Sequence, residues 1–155
     1  LCVSGQLRSY NKVVGGAGRL LLTAFGQRLL APEEAENPNI IQLTGAICKP
    51  PAFRTTPFGR EIADLMLAVN RAFGKSDYIP CIAWGRTARY AAQLSVGDKL
   101  KVQGRFQSRD YQKQLPDGTV MNRVAYEVSL SRLTHLKDTP LPDMAASRAA
   151  DTPVN

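Results

Sequence analysis

Residues 99–112, Lys-Leu-Lys-Val-Gln-Gly-Arg-Phe-Gln-Ser-Arg-Asp-Tyr-Gln, carry the clearest structural signal in the chain. From Lys99 to Phe106, charged or polar residues alternate with apolar or small ones. Successive side chains of a β-strand point to opposite faces, so this alternation predicts a strand with one face in a core and the other in water. We therefore predict a half-buried strand at Lys99–Gln112.

The sequence on either side of this strand continues the pattern. Pro-Asp-Gly at 116–118 predicts a hairpin turn, and the alternation within Val124–Ser131 predicts a further strand. Before Lys99, the Ala- and Leu-containing stretch Arg86–Leu94 predicts one short helix. A basic loop at Phe53–Arg60 separates the first two of three earlier strands, which we predict at Ile40–Cys48, Glu61–Val69 and Tyr78–Trp84.

The order of these elements indicates a fold class. Three strands, a short helix and two more strands match an OB-fold, an all-β, five-stranded Greek-key barrel with its helix between strands three and four. The periodicity of the sequence does not by itself distinguish an OB-fold from other small β-barrels and β-sandwiches. We predict one barrel domain at residues 37–136 and a disordered tail at 137–155.

Positive charge is concentrated in the predicted barrel. The 155 residues include 20 Lys and Arg against 13 Asp and Glu, a net charge of +7. Residues 37–136 alone carry +7, whereas residues 1–36 carry +1 and residues 137–155 carry −1. Such a balance favours a polyanionic partner.

Residue types that commonly serve catalysis or metal binding are sparse. Cys2, Cys48 and Cys81 are far apart and never form a Cys-x-x-Cys pair, which argues against a disulfide framework or a zinc site and favours a reducing compartment. His135, the single histidine, has no carboxylate or cysteine within a few residues. No apolar run approaches the roughly 20 residues of a membrane-spanning helix. We predict a cytoplasmic protein with no enzymatic activity, metal, cofactor or membrane partner.

The start of the chain echoes the end of the barrel. Val3–Tyr10 (Val-Ser-Gly-Gln-Leu-Arg-Ser-Tyr) is similar to Val102–Tyr111, and Arg19–Phe25 is more loosely similar to Tyr126–Arg132. Residues 1–36 therefore predict a hairpin and a linker, the hairpin being strands four and five of a second barrel whose first part is missing. The alternative is an ordinary β-hairpin packed on a single barrel.

Three segments resemble the bacterial single-stranded DNA-binding protein family: Gly59–Arg71, Asp77–Arg86 and Val102–Tyr111. They occur in the family's order and spacing, and the resemblance covers about residues 38–134. The tandem arrangement is similar to a branch found in Gram-positive anaerobes. The resemblance implies an OB-fold that binds single-stranded DNA with little sequence preference in replication, recombination and repair. It also implies a homo-oligomer with four barrels, either four one-barrel chains or two two-barrel chains, in the bacterial nucleoid.

The resemblance also assigns residues to the interface. The family's base-stacking positions fall on Phe73, Tyr78, Trp84 and Tyr111. Its phosphate contacts fall on Arg86 and Arg109, and its groove walls on Lys75, Arg71, Arg54 and Lys113. Tyr78 and Trp84 are six residues apart on one predicted strand and should point to the same side, with Ile82 between them. The alternative for Trp84 is a core residue that fills the barrel.

Other functions stay open on the sequence. An OB barrel of replication restart can act mainly as a protein-docking module with weak DNA binding, and tolerance of Trp84→Ala and Tyr78→Ala would indicate that role. RNA is a second possible ligand, because stacking does not read the 2′-OH. The chain ends at Pro153-Val154-Asn155 and not in an acidic tip that closes on a bulky apolar residue, so recruitment of repair enzymes is not expected.

Overall fold

The computed structural model describes residues 1–34 and 38–137. The predicted tail, apart from Lys137, and the middle of the predicted linker lie outside the described residues. Two short 3₁₀ turns occur at Pro32–Glu34 and Ala72–Gly74. The regular elements are β1 (Cys2–Val14), β2 (Ala17–Leu30), β3 (Ile41–Ile47), β4 (Ala52–Thr55), β5 (Glu61–Arg71), β6 (Lys75–Trp84), α1 (Gly85–Ala91), β7 (Lys99–Gln114) and β8 (Val120–His135).

Strands β3 to β8 form one sheet that closes into a barrel. The strand order is β3-β7-β8-β6-β5-β4, and a second pairing of β3 with β5 closes the ring. All pairings are antiparallel except that of β6 with β8, which is parallel and joins Cys81 to Val128 and Ile82 to Ser129. The five closing strands and the helix between β6 and β7 confirm the predicted OB-fold.

Alternating residues of the barrel strands fill its interior. Along most of β3 and β5 to β8, one face borders water, so the apolar positions of the other face turn inward and lose their contact with water. Helix α1 packs on the barrel through Ala88 and Ala91, which are fully buried. The largest fully buried side chains of this core are Ile47, Leu67, Ile79, Leu100, Val102 and Val128.

Strand β4 occupies part of the stretch predicted as a basic loop. Ala52–Thr55 pairs with the start of β5, and the intervening turn is held by hydrogen bonds between Thr56 and Arg60. All four residues of β4 are exposed. A strand at a sheet edge with both faces in water has no hydrophobic alternation to reveal it, which explains the difference.

The helix and the last two strands differ from the prediction at their ends. The helix ends at Ala91 and not at Leu94, because Gln93 and Leu94 donate to carbonyls three residues earlier and tighten the final turn. Strands β7 and β8 continue to Gln114 and from Val120, respectively, beyond the predicted bounds. Their paired ends form an arm that projects past the barrel, and we call residues 109–125 the β7–β8 arm.

Strands β1 and β2 form a separate two-stranded sheet, which we call the hairpin. Gly15 and Gly16 make its turn with φ of 58° and 79°, the left-handed pair that a tight two-residue hairpin loop requires. Leu7 and Leu22 pack against the barrel core. The hairpin is thus ordered against the barrel in this chain, and its origin as part of a second barrel stays a prediction.

Candidate nucleic-acid interface

Strand β6 has two faces with different roles. Ile79, Cys81 and Ala83 point into the barrel and are buried, and Asp77 is buried where it accepts a hydrogen bond from Ser9 of the hairpin. The alternate residues Tyr78, Pro80, Ile82 and Trp84 lie on the outer face. Tyr78 is 44% exposed and Trp84 half-buried, so the two rings share a side as their spacing predicts. Ile82, between them, is fully buried and gives no open platform.

Trp84 is held at the end of β6 by polar and cationic neighbours. Its indole Nε1 donates to Ser129 Oγ at 2.9 Å, and it lies opposite Ile62 of β5. The guanidinium of Arg60 lies over the ring, 4.4 Å from its centroid. Trp84 is not part of the barrel core, so the alternative of a core-filling tryptophan is not supported by its position.

The turn between β5 and β6 presents Phe73 to solvent. Phe73 is 88% exposed and has φ 66° and ψ 33°, a left-handed conformation that is uncommon for a residue with a Cβ. Such backbone conformations cost about 1–3 kcal/mol and are often found at ligand sites. Lys75 is exposed beside this turn, and Arg71 lies directly opposite Lys75 in the β5–β6 register. An aromatic ring and two cations therefore share one end of β6.

The β7–β8 arm and β4 border an open cleft. Arg54, Arg109 and Tyr111 line this cleft, which has a volume of about 780 Å³. Leu20, Leu21 and Leu22 of the hairpin also line it. Lys113 is exposed further along the arm. The cleft brings together three of the predicted interface residues from two strands that are not neighbours in the sheet.

Three of the predicted phosphate contacts are engaged in ion pairs with carboxylates. Arg109 Nε lies 2.7 Å from Glu127, which is buried; Arg54 Nε lies 3.0 Å from Asp64, and Arg71 Nε lies 3.4 Å from buried Asp77. The hydrogen bond from Arg109 to Glu127 raises the pKa of the guanidinium. These pairs fix the guanidinium groups in place and reduce the net charge that each offers to a phosphate.

The other three predicted phosphate contacts are free of such carboxylate partners among the described residues. Arg86, Lys75 and Lys113 are exposed, and none of them forms an ion pair with a carboxylate in residues 1–34 and 38–137. Arg86 lies in the first turn of α1, two residues after Trp84. The predicted interface residues thus fall into three groups, one at each end of β6 and one in the cleft beside the β7–β8 arm. Strand β6 has ten residues and spans about 30 Å, so this arrangement suits an extended ligand better than a compact one.

The structure adds to this surface two side chains that the sequence does not indicate, Arg60 and Tyr126. A single surface cation such as Arg60 carries little information in the sequence, and only the fold shows that its guanidinium lies over the Trp84 ring. Tyr126 lines the cleft, is 54% exposed and stacks on Phe106 with ring centroids 6.2 Å apart. Its spacing groups Tyr126 with buried Val128, but it lies where β8 leaves the barrel body. No pattern in the sequence marks that point.

The surface is suited to binding. Within the described part of the chain, no group of three or more His, Cys, Asp or Glu side chains could hold a metal ion. Burial raises the pKa of the Cys81 thiol, which opposes a nucleophilic role. His135 Nε2 lies 3.6 Å from Asp98, near the start of β7. Among the residues that the structure describes, no helix combines the length and apolar character needed to cross a membrane.

A small barrel whose open face carries aromatic rings and cations over tens of ångströms has the elements with which OB-fold proteins bind nucleic acids. Residues 38–136 match the family described as "Single-strand binding protein family". This chain belongs to that family. The match spans well over half of the chain and coincides with the predicted barrel domain.

Individual relatives agree with this assignment. Single-stranded DNA-binding protein A of Bacillus subtilis is 39% identical over 83 residues, covering 49% of this chain and 48% of the relative. Single-stranded DNA-binding protein 3 of Clostridium acetobutylicum is 38% identical over 100 residues, covering 58% and 68%. The chain thus spans about half to two thirds of the length of these relatives.

A solved structure is also similar. It is the crystal structure of a deletion mutant of the single-stranded DNA binding protein from Thermus aquaticus, with a TM-score of 0.64 and 26% sequence identity. The alignment covers 89% of this chain and 61% of that chain. It therefore includes more of this chain than the family match over residues 38–136.

Proposed function

We propose that this chain binds single-stranded DNA with little sequence preference, in DNA replication, recombination and repair. The observation that carries the proposal is the placement of Tyr78 and Trp84 on the outer face of β6, with cations at both ends of that strand. Stacking on such rings tolerates every base because every base has a π-face, and Lys and Arg follow the phosphates. The family assignment and the names of the relatives support the same ligand.

In this proposal the strand lies along β6 and across the cleft. Bases stack on Phe73, Tyr78, Trp84 and Tyr111. Phosphates are contacted by Arg86, Lys75 and Lys113, which are exposed, and by Arg109, Arg71 and Arg54, which their carboxylate partners hold in fixed positions. The three paired arginines are expected to contribute less charge each than the three unpaired cations.

Trp84 makes the direct experiment possible because it is the single tryptophan of the chain. Titration with poly-dT at low salt should quench its fluorescence, and added salt should reverse the quenching. A plot of log affinity against log salt should fall with a slope of about −0.7 for each phosphate contact. A flat salt dependence would remove the phosphate contacts from the proposal, and a fluorescence signal and a gel shift that both stay unchanged would refute DNA binding.

The same titration distinguishes the alternatives. Equal-length DNA and RNA competitors show whether the surface prefers one sugar. A protein-docking module would show weak binding that does not depend on the aromatic rings.

We further propose that the barrels assemble into homo-oligomers in the cytoplasm, as a dimer of tandem barrels or a tetramer of single barrels. Phe58, in the β4–β5 turn, is 95% exposed in the single chain, as expected for a residue that a ligand or a second barrel covers. Sedimentation velocity over a range of concentrations should show species larger than the 16.9 kDa chain. A single monomer at all concentrations would contradict self-association of this chain.

A further inference from the structure

The hairpin has a charge distribution unlike that of the rest of the chain. Residues 1–31 include Arg8, Lys12, Arg19 and Arg28 and no Asp or Glu. The barrel, in contrast, pairs several of its arginines with carboxylates. All charged side chains of the hairpin are therefore positive, and no carboxylate within it balances them.

The strand register sorts these cations onto one face. Leu7, Ser9 and Leu22 lie on the face that packs on the barrel. The other face carries, in register, Tyr10 opposite Leu21 and Lys12 opposite Arg19, together with Arg8 and Phe25. We call this second face the outer hairpin face. Tyr10 on it is 49% exposed, and Lys12 and Arg19 are exposed.

Part of the outer hairpin face is already fixed in place. The guanidinium carbon of Arg8 lies 3.7 Å from the centroid of the Phe25 ring, and its NH2 group donates to Gln6 Oε1 at 3.0 Å. Tyr10, Lys12 and Arg19 have no such partner among the described residues. An exposed ring next to two unpaired cations matches the stacking and phosphate elements of a single-strand surface.

The hairpin is also next to the barrel interface. The Tyr78 backbone N–H donates to Ser9 Oγ at 2.6 Å, and the Ser9 N–H donates to Asp77 Oδ1 at 2.8 Å. Ser9 immediately precedes Tyr10 in β1, and Leu20–Leu22 of β2 line the cleft that holds Tyr111. A strand that leaves the outer face of β6 or the cleft therefore meets the hairpin.

We infer that the outer hairpin face is a second contact surface for single-stranded DNA, which continues the path of the strand beyond the barrel. Tyr10 stacks on a base, and Lys12 and Arg19 contact phosphates. The inference rests on the proposed function of the barrel. A polyanion fits this face better than the same face of a second copy, because Lys12 and Arg19 of the two copies would then repel each other.

The test compares two oligonucleotide lengths on two matched triple variants. Tyr10→Ala with Lys12→Ala and Arg19→Ala removes the outer hairpin face. Tyr90→Ala with Lys101→Ala and Arg132→Ala removes the same residue types from exposed positions on α1, β7 and β8. Binding is measured with oligo-dT of about 6 and about 20 nucleotides in excess over protein, with Trp84 quenching as the signal of barrel occupancy.

The hairpin variant should bind the short oligonucleotide like the wild type and lose roughly 5- to 150-fold in affinity for the long one, the range for one stacked base. Its salt slope for the long oligonucleotide should become shallower by about 1.4, for two lost single-strand contacts. The control variant should match the wild type at both lengths. Lys12→Glu with Arg19→Glu should deepen the loss for the long oligonucleotide only.

Three outcomes would overturn the inference. The hairpin variant could bind both lengths like the wild type, or it could lose the same factor at both. It could also sediment as a smaller species than the control, which would make this face a contact between copies. Urea unfolding of both variants confirms that the fold is intact. If the wild type fails to bind even the short oligonucleotide, the proposed function itself is wrong, and that result is distinct from a selective failure at the longer length.

Discussion

Removing the two rings on the outer face of β6 tests the stacking interface most directly. Each base stacked on an aromatic side chain contributes about 1–3 kcal/mol. Tyr78 and Trp84 are six residues apart on an extended strand, which separates them by about 20 Å, so their effects should add. Tyr78→Ala with Trp84→Ala should therefore cost about 2–6 kcal/mol of binding free energy, roughly a 30-fold loss of affinity or more.

Loss of stacking must be separated from loss of structure, because Trp84 also supports the barrel surface. Its Nε1 hydrogen bond to Ser129 contributes about 0.5–1.5 kcal/mol to the free energy of unfolding. Trp84→Phe gives up this bond but keeps a ring, so we expect it to weaken DNA binding less than Trp84→Ala does. Urea unfolding of each variant measures the structural part.

Binding is measured by the anisotropy of a fluorescein-labelled oligo-dT, since the variants lack the tryptophan signal. Tyr90→Ala is the matched control: Tyr90 is 43% exposed on α1, almost the same as Tyr78. We expect this control to bind like the wild type. If folded Tyr78→Ala and Trp84→Ala proteins bind like the wild type, stacking on β6 is refuted and the protein-docking alternative is favoured.

Three further predictions concern the fold. Ser9→Ala leaves the Tyr78 N–H without its acceptor at a buried site and should lower the free energy of unfolding by about 1–3 kcal/mol in a urea titration; an unchanged midpoint would mean that the bond does not hold the hairpin. The hydrogen bond from Arg89 lowers the pKa of Glu61 below its ordinary value of 4.5, so this pair stabilises the fold at neutral pH and the contribution is lost as the pH falls through the folded pKa. Glu61→Gln should accordingly flatten the acid side of a stability-versus-pH curve, and an unaltered curve would contradict the pairing. The thiol of Cys81, buried with a raised pKa, should react with a thiol reagent only after unfolding, and rapid labelling of the native protein would contradict its burial.

The position of a secondary-structure element could be predicted from the sequence wherever one face of that element is buried. Alternation located β3, β7 and β8, and runs of apolar, β-branched and aromatic residues bounded by turn residues located β5 and β6. The two-residue repeat of a strand also placed Tyr78 and Trp84 together on the outer face of β6. Composition located the helix, and its final turn differed because hydrogen bonding, not propensity, decides where a helix ends.

Features set by long-range geometry could not be predicted. Strand β4 exists because it pairs with β5, and its own residues carry no pattern. Tyr126 is exposed because β8 outruns the barrel at that point, although its spacing is that of a core residue. The carboxylate partners of Arg54, Arg71 and Arg109 come from other strands, so no local pattern indicates that these cations are paired.

The two faces of β6 have a consequence for how this protein tolerates change. One strand supplies both barrel interior and outer surface, from residues that interleave one by one. Replacing an outer side chain leaves the set of inward-facing residues unchanged, but inserting or deleting a single residue within β6 would exchange the two sets and send Tyr78 or Trp84 inward. Substitutions on one face of β6 therefore leave the residues of the other face in place, whereas a one-residue shift disrupts the barrel interior and the outer surface together. Variation in length is expected in the Leu115–Thr119 loop, where no core-facing alternation has to be kept.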